Sequence, residues 1–178
     1  LRTHGITKDK NYLSENPGPW YYEMIELGFN YRITDIQCAL GINQLKKLNT
    51  SVKRRREIIN KYNSAFSKYN DFITIPYEKE NVYSAFHLYV LKIDFDKIGK
   101  SRKIVMEELR NKGIGTQVHY IPVHTQPYYR KNYDYNWGDY PQAEEYYKRA
   151  LSIPLYPSMS EDDVNYVIDT VISVLVKG

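Results

Sequence analysis

The sequence predicts an α/β protein: a small α+β-like sandwich, with helices on one face of a sheet, entered through one long helix. Three observations carry this. Apolar residues recur at spacings of three and four between Ile36 and Phe66, the period of an amphipathic helix. Past residue 70, short apolar runs alternate with helical patterns in the order β-α-β-loop-α-β-α. The 178 residues hold no repeat or low-complexity segment and are long enough to bury a core.

Residues 1–19 are polar and turn-rich, ending in Asn16-Pro17-Gly18-Pro19, and are expected to be a loop or linker. Trp20 to Leu27 is expected to be extended. Gly28 is expected to give the backbone a conformation other residues avoid. Thr34 and Gln37 have capping-box spacing at the start of a helix running from about Asp35 to about Lys68. A helix of that length is long for one domain and suggests a spine joining two. Lys53-Arg54-Arg55-Arg56 in its middle reads as a solvated face.

Phe72 to Ile75 is a short strand candidate closed by Pro76, and a second runs from Asn81 or Ser84 to Ile93. Ser101 opens a helix that Gly113 closes. Thr116 to Ile121 is the next expected strand. Pro122 to Tyr140 is expected to be irregular, the kind of long loop that is functional or covers a partner. Pro141 opens a helix through Ala150, and Leu151-Ser152-Ile153-Pro154 reads as an edge strand. Ser160 and Asp163 cap a last helix carrying Val164, Val167, Ile168, Val171, Ile172 and Leu175.

Composition narrows the function. A net charge of +4, from 25 basic and 21 acidic residues, is too mild and mixed to argue for nucleic acid. No apolar run is long enough to span a membrane, and no signal peptide is visible. Cys38 is the only cysteine, which fits a reducing cytoplasm, and its place on a helix fits a core residue better than a nucleophile. The 19 tyrosines suit interfaces and half-wet pockets, though compositional bias explains them equally well. The chain starts at Leu1 and its first residues read like the middle of a sequence, so a piece of a longer protein is expected.

Few residues can carry chemistry. His119 and His124 are the only close histidines, and no cysteine or acidic pair completes a metal set with them. No Gly-rich phosphate loop or G-x-S-x-G elbow occurs. Glu107-Glu108, Glu144-Glu145 and Asp162-Asp163 read as solvated faces or caps. Two patches remain. Asn30-Tyr31-Arg32 offers an amide and a guanidinium near a helix start, the tools for gripping a phosphate or carboxylate, although a well-capped helix with ordinary polar residues also fits. Val118 to His124, extended through Gln126 to Arg130, puts an imidazole and a phenol at a sheet rim, suited to a polar ligand, a base or a sugar.

These patches carry a resemblance. Gly28-Phe29-Asn30-Tyr31-Arg32-Ile33-Thr34-Asp35-Ile36-Gln37-Cys38-Ala39 resembles the G-x-N-x-R-x-[TD]-x-[LI]-Q-A-A segment of the DegT/DnrJ/EryC1/StrS sugar aminotransferases. His119 to Tyr129 resembles that family's second signature, and Tyr147 to Pro157, with Ser152-Ile153-Pro154-Leu155-Tyr156-Pro157, its third. Within the family the chain is most similar to the flagellin-sugar branch, which aminates C4 of a UDP-4-keto-6-deoxy-N-acetylhexosamine on the way to pseudaminic acid.

The resemblance implies the C-terminal part of a fold-type I, pyridoxal 5'-phosphate (PLP)-dependent transferase. Residues 1–33 would be a remnant of the large-domain and interface segment, 34–70 the connecting helix and 71–178 the small α/β domain. The parent would be a cytoplasmic homodimer with shared active sites, taking an amino group from a donor such as glutamate to a UDP-sugar. The Schiff-base lysine would lie upstream of Leu1 in a Ser-x-x-x-x-Lys-like context, so this chain would hold no catalytic residue, no bound cofactor and no transaminase activity of its own. Asn30 corresponds to the amide that reaches the cofactor phosphate of the neighbouring subunit. Arg32, His119 and Tyr120 correspond to substrate-binding residues, with Tyr31, His124 and Tyr128 as further pocket candidates. A non-catalytic nucleotide-sugar-binding domain and an oligomerisation module are the rival readings.

Overall fold

A computed structural model describes residues 1–176, which divide into two compact units, Leu1–Leu48 and a second that begins at Asn49. The boundary falls inside the long helix α1, Asp35–Phe66, 32 residues that match the expected span closely.

In the first unit, strand β1 (Ile6–Thr7) pairs antiparallel with β2 (Glu23–Met24), Ile6 opposite Met24. A bridge joins Thr3 to Asn30, and His4 donates to the Phe29 carbonyl at 2.9 Å while Phe29 donates to that of Leu1 at 2.8 Å. Residues 1–7 are therefore half of a ribbon, not the linker that their polarity suggests. Between the strands, the Glu23 carboxylate accepts from the Ser14 hydroxyl, from the Ser14 N–H at 2.9 Å and from the Tyr21 hydroxyl at 2.8 Å. Those bonds hold its pKa at about 2.

Gly28 departs from expectation in its reason. A side chain there would place its Cβ 2.0 Å from the Gly5 nitrogen and 2.4 Å from the His4 carbonyl carbon, so glycine is required by close approach of two backbones and not by a left-handed φ. The capping box forms: Thr34 N–H donates to Gln37 Oε1 at 3.0 Å and Gln37 N–H to Thr34 Oγ1 at 3.3 Å.

The second unit is built on a three-stranded antiparallel sheet in the order β3 (Ile73–Thr74), β4 (Tyr89–Ile93), β5 (Ala150–Ile153). Tyr89 lies opposite Ile153 and Leu91 opposite Leu151. Helices α2 (Arg102–Asn111) and α5 (Glu161–Val176) pack with the C-terminal part of α1 into one core, in which Tyr62, Phe66, Tyr89, Leu91, Leu109, Leu151 and Val171 are fully buried. The predicted α/β sandwich class holds, as do both caps: Ser101 accepts from Ile104 N–H, and Ser160 and Asp163 exchange bonds at the start of α5. Those bonds hold the Asp163 carboxyl below its ordinary range.

Several expectations fail for tertiary reasons. The second strand begins only at Tyr89. Before it, Arg56 grips Glu78 through both Nη atoms, at 2.8 and 2.9 Å, and stacks on Tyr83, while Glu78 takes the Ser84 N–H; Phe86, at φ +45°, breaks the extended run. Arg54 likewise bonds Glu161 at 3.0 Å and the Met159 carbonyl at 2.8 Å, so the basic run is not simply a solvated face. Thr116 to Ile121 forms no strand. Its pairing is limited to Gln117 and Ser152, because β5 is short and Pro122 has no N–H to continue a ladder. The segment 122–140 is not wholly irregular: a 3₁₀ turn spans Val123–Thr125, and Pro127 opens helix α3, Pro127–Tyr133. Helix α4, Pro141–Arg149, follows as expected. Cys38 is half-buried rather than core, and the apolar stripe of α1 is exposed at Ile36, Leu40 and Leu45, reaching the core only from Val52 onward.

Candidate active-site segments

The two patches singled out by sequence fall in different units. In the first, Asn30 ends the ribbon through its bridge to Thr3, and Tyr31 N–H donates to the Arg2 carbonyl at 3.0 Å. This fixes the backbone up to the capped start of α1. Arg32 Nε then donates to Asn30 Oδ1 at 3.1 Å. That bond uses the amide oxygen and leaves the Asn30 NH₂ and both Arg32 Nη groups without a partner among the described residues. Both residues are exposed. The uncommitted nitrogens of Asn30 and Arg32 are all donors, one set of them charged, which is the chemistry that receives a phosphate or carboxylate. Tyr31 stacks on Phe29 at 5.0 Å and is also exposed.

In the second unit, His119 is placed by the Gln117–Ser152 pair, whose backbones exchange bonds of 3.2 and 2.8 Å. Its Nδ1 meets the Ser152 hydroxyl at 2.8 Å. Ser152 is buried in β5, so the imidazole is tethered to the sheet rather than loose at its rim. Tyr120 stands edge-on to the His119 ring at 4.7 Å with most of its surface exposed.

His124 is more enclosed, at 8% exposure. Its Nε2 meets Glu144 Oε1 at 2.9 Å, and its ring packs on Tyr140 at 4.7 Å. The same carboxylate accepts the Gly138 N–H at 2.8 Å and the Tyr140 N–H at 3.3 Å. Burial pushes the Glu144 pKa up, but the His124 ring and those N–H groups outweigh it, and the net position is below the ordinary carboxylate range. Around them lies a cavity of about 360 Å³ walled by Pro122, Val123, His124, Tyr129, Tyr135 and Tyr140. Tyr128 sits edge-on to Tyr129 at 5.3 Å, at the exposed end of this aromatic row.

The second unit therefore gathers His119, Tyr120, His124 and Tyr128 on one segment, and the first holds Asn30, Tyr31 and Arg32. Sequence reasoning missed Ser152 and Glu144, the side chains that hold the two histidines. For Glu144 a signal existed: it is an acid in the first turn of a helix opened by Pro141. Nothing in the sequence tied it to a histidine 20 residues earlier. Among the described residues no three His, Cys, Asp or Glu side chains gather to hold a metal, and no helix is long and apolar enough to cross a membrane.

A DegT/DnrJ/EryC1/StrS aminotransferase family model matches residues 1–172. The chain is 46% identical over 180 residues to the Bacillus subtilis spore coat polysaccharide biosynthesis protein SpsC, covering 100% of this chain and 46% of that protein. It is 39% identical over 179 residues to the UDP-4-amino-4,6-dideoxy-N-acetyl-beta-L-altrosamine transaminase of Campylobacter jejuni, covering 99% and 44%. Among solved structures it superposes on Helicobacter pylori PseC, an aminotransferase involved in the biosynthesis of pseudoaminic acid, with a TM-score of 0.82 at 26% identity, over 99% of this chain and 44% of that one. The Streptococcus pneumoniae putative sugar aminotransferase Spr1654, solved in PLP and PMP forms, gives a TM-score of 0.82 at 29–30% identity, over 99% and 42%. The chain spans less than half the length of each of these proteins, so its fold is a partial domain of a larger one. It belongs to the DegT/DnrJ/EryC1/StrS aminotransferase family.

Proposed function

We propose that this chain is the C-terminal part of a PLP-dependent transaminase that moves an amino group from glutamate to C4 of a UDP-4-keto-6-deoxy sugar, in the route to pseudaminic acid. The observation that carries the reading is the cluster of uncommitted N–H donors on Asn30 and Arg32, within the residues matched by the family model. The Campylobacter and Helicobacter relatives support the sugar; SpsC, the more similar in sequence, ties the same scaffold to a spore coat polysaccharide.

In this reading residues 1–33 belong to the interface segment, 34–70 to the connecting helix and 71–178 to the small domain. The parent works as a cytoplasmic homodimer with shared active sites. The Asn30 amide and the Arg32 guanidinium fit a phosphate, because their free groups are N–H donors only. Asn30 would hold the cofactor phosphate of the neighbouring subunit. Arg32 would hold the anionic donor or the nucleotide sugar. His119 and Tyr120 would orient the sugar nucleotide, with Tyr31, His124 and Tyr128 lining its path. When bound, PLP supplies the electron sink for amino-group transfer. The lysine that moves the protons would lie upstream of Leu1, so the chain alone has no transaminase activity.

The test is to mix the chain with PLP, reduce with borohydride and map any phosphopyridoxyl-lysine by mass spectrometry. We expect scattered, substoichiometric labelling. A stoichiometric adduct on one lysine would overturn the assignment.

A further inference from the structure

Glu144 does more than its helix requires. Tyr140 provides no side-chain cap for α4, and the Glu144 carboxylate covers the free Tyr140 N–H in its place. That is ordinary capping. Two further contacts are not. Gly138, held at φ +99°, turns its N–H onto both carboxylate oxygens at 2.8 and 2.9 Å, which folds the 134–140 loop back onto the helix. His124, 20 residues earlier in the chain, meets Oε1 at 2.9 Å. One carboxylate thus fixes the enclosed imidazole and the backbone that carries Tyr140, two walls of the same 360 Å³ cavity.

The ionisation of Glu144 sets the hydrogen on His124. An ionised carboxylate has no donor, so the bond to Nε2 is made by an Nε2–H. The other ring nitrogen, Nδ1, has no partner among the described residues. That ring lines the cavity together with Tyr129, Tyr135 and Tyr140. Aromatic side chains beside a held imidazole suit a sugar or base, which offers both apolar faces and polar edges.

We propose that Glu144 is a positioning residue of the nucleotide-sugar site, holding the His124 ring and the 138–140 backbone in one arrangement so that the tyrosine-lined cavity is formed before the UDP-sugar arrives. This rests on the reading of the His119–Tyr129 segment as nucleotide-sugar-binding.

The test uses the whole chain as wild type, Glu144→Gln and Glu144→Ala, titrated with UDP-N-acetylglucosamine and followed by NMR. The His124 ring nitrogen shifts report the tautomer, and hydrogen exchange reports the Gly138 and Tyr140 amides. Wild type is expected to bind, to hold the Nε2–H tautomer and to protect both amides. Glu144→Ala is expected to lose that tautomer preference, to exchange both amides about tenfold faster and to bind about tenfold more weakly, the scale of one lost hydrogen-bonded anchor. Glu144→Gln retains an acceptor oxygen without the charge, and its affinity is expected to lie between the two. A merely structural cap would move the amides and leave the ring signature and the affinity alone. Binding by wild type that neither variant weakens overturns the positioning role and leaves the site standing. A wild-type chain with no response to the UDP-sugar overturns the claim that this segment forms its cavity before the ligand arrives, and with it the positioning role, while the shared-site reading of the parent stands. If Glu144→Ala does not fold, Glu144→Gln decides alone: wild-type affinity with a wild-type ring signature refutes the proposal.

Discussion

The core of the second unit makes a quantitative prediction at alkaline pH. Tyr62 of α1 and Tyr89 of β4 are both fully buried, and their rings meet edge-on at 5.0 Å. Tyr62 donates to the Pro154 carbonyl at 2.9 Å and Tyr89 to Asn63 Oδ1 at 2.7 Å. Burial pushes both phenols well above the ordinary tyrosine range, with Tyr156 adding to the effect on Tyr62 and Tyr62 to that on Tyr89. A raised folded-state pKa means that the unfolded chain gives up these protons first. Stability is therefore full below about pH 10 and falls as pH rises beyond it. Each phenol costs up to about 1.4 kcal/mol by pH 11. Tyr62→Phe and Tyr89→Phe each remove one hydrogen bond, about 1 kcal/mol at pH 8. They also remove that residue's alkaline penalty. Each variant should be less stable than wild type at pH 8 and match it near pH 11. Urea unfolding between pH 8 and 11 measures this, with tyrosinate absorbance checking that folded wild type keeps two phenols protonated. Variant and wild-type stabilities that run parallel across the range would refute the reasoning.

Two further outcomes follow from the first unit. Gly28→Ala drives a Cβ into the Gly5 and His4 backbone, so residues 1–7 should part from 23–31. Hydrogen exchange at the His4, Phe29 and Tyr31 amides should rise while the core amides of the second unit hold; unchanged exchange at all three would refute the close-approach account. The exposed apolar side chains of α1, Ile36, Leu40 and Leu45, should make the chain self-associate with concentration, and Leu40→Glu with Leu45→Glu should suppress it. Light scattering that finds a clean wild-type monomer throughout would refute this.

The features legible in the sequence are those decided within one turn of chain. The Thr34–Gln37 and Ser160–Asp163 boxes form because each needs only two side chains three residues apart. The length of α1 was equally local, set by its period. Which part of its stripe is buried was not, because Ile36 and Ile58 carry the same hydrophobicity and differ only in what lies beside them. The expected strand at Thr116–Ile121 shows the same limit. Its residues suit a strand, but a ladder needs a partner, and Ser152 alone supplies one. Conversely, Pro127 in the tyrosine-rich segment was a helix start as much as a breaker, and the run after it folds as α3.

The candidate site divides along the same line. Asn30 and Arg32 are two residues apart, so an amide and a guanidinium held on one loop could be anticipated from the chain, while the hydrogen bond between them was not part of that expectation. The holders of the histidines could not: Ser152 lies 33 residues from His119, and Glu144 lies 20 from His124. For both histidines the residue that suggests chemistry is held by a neighbour that suggests none, or suggests something else, whereas Asn30 is held by Arg32, which suggests the same chemistry. Arg32 occupies the Asn30 oxygen, Ser152 the His119 Nδ1 and Glu144 the His124 Nε2. The consequence concerns which atoms remain for a ligand. Asn30 is left as a donor, His119 with only Nε2 uncommitted, and His124 with only Nδ1. For the two histidines of the second unit, the ring nitrogen left uncommitted is therefore decided by the hydrogen-bond partner, Ser152 or Glu144, and not by the motif residue itself.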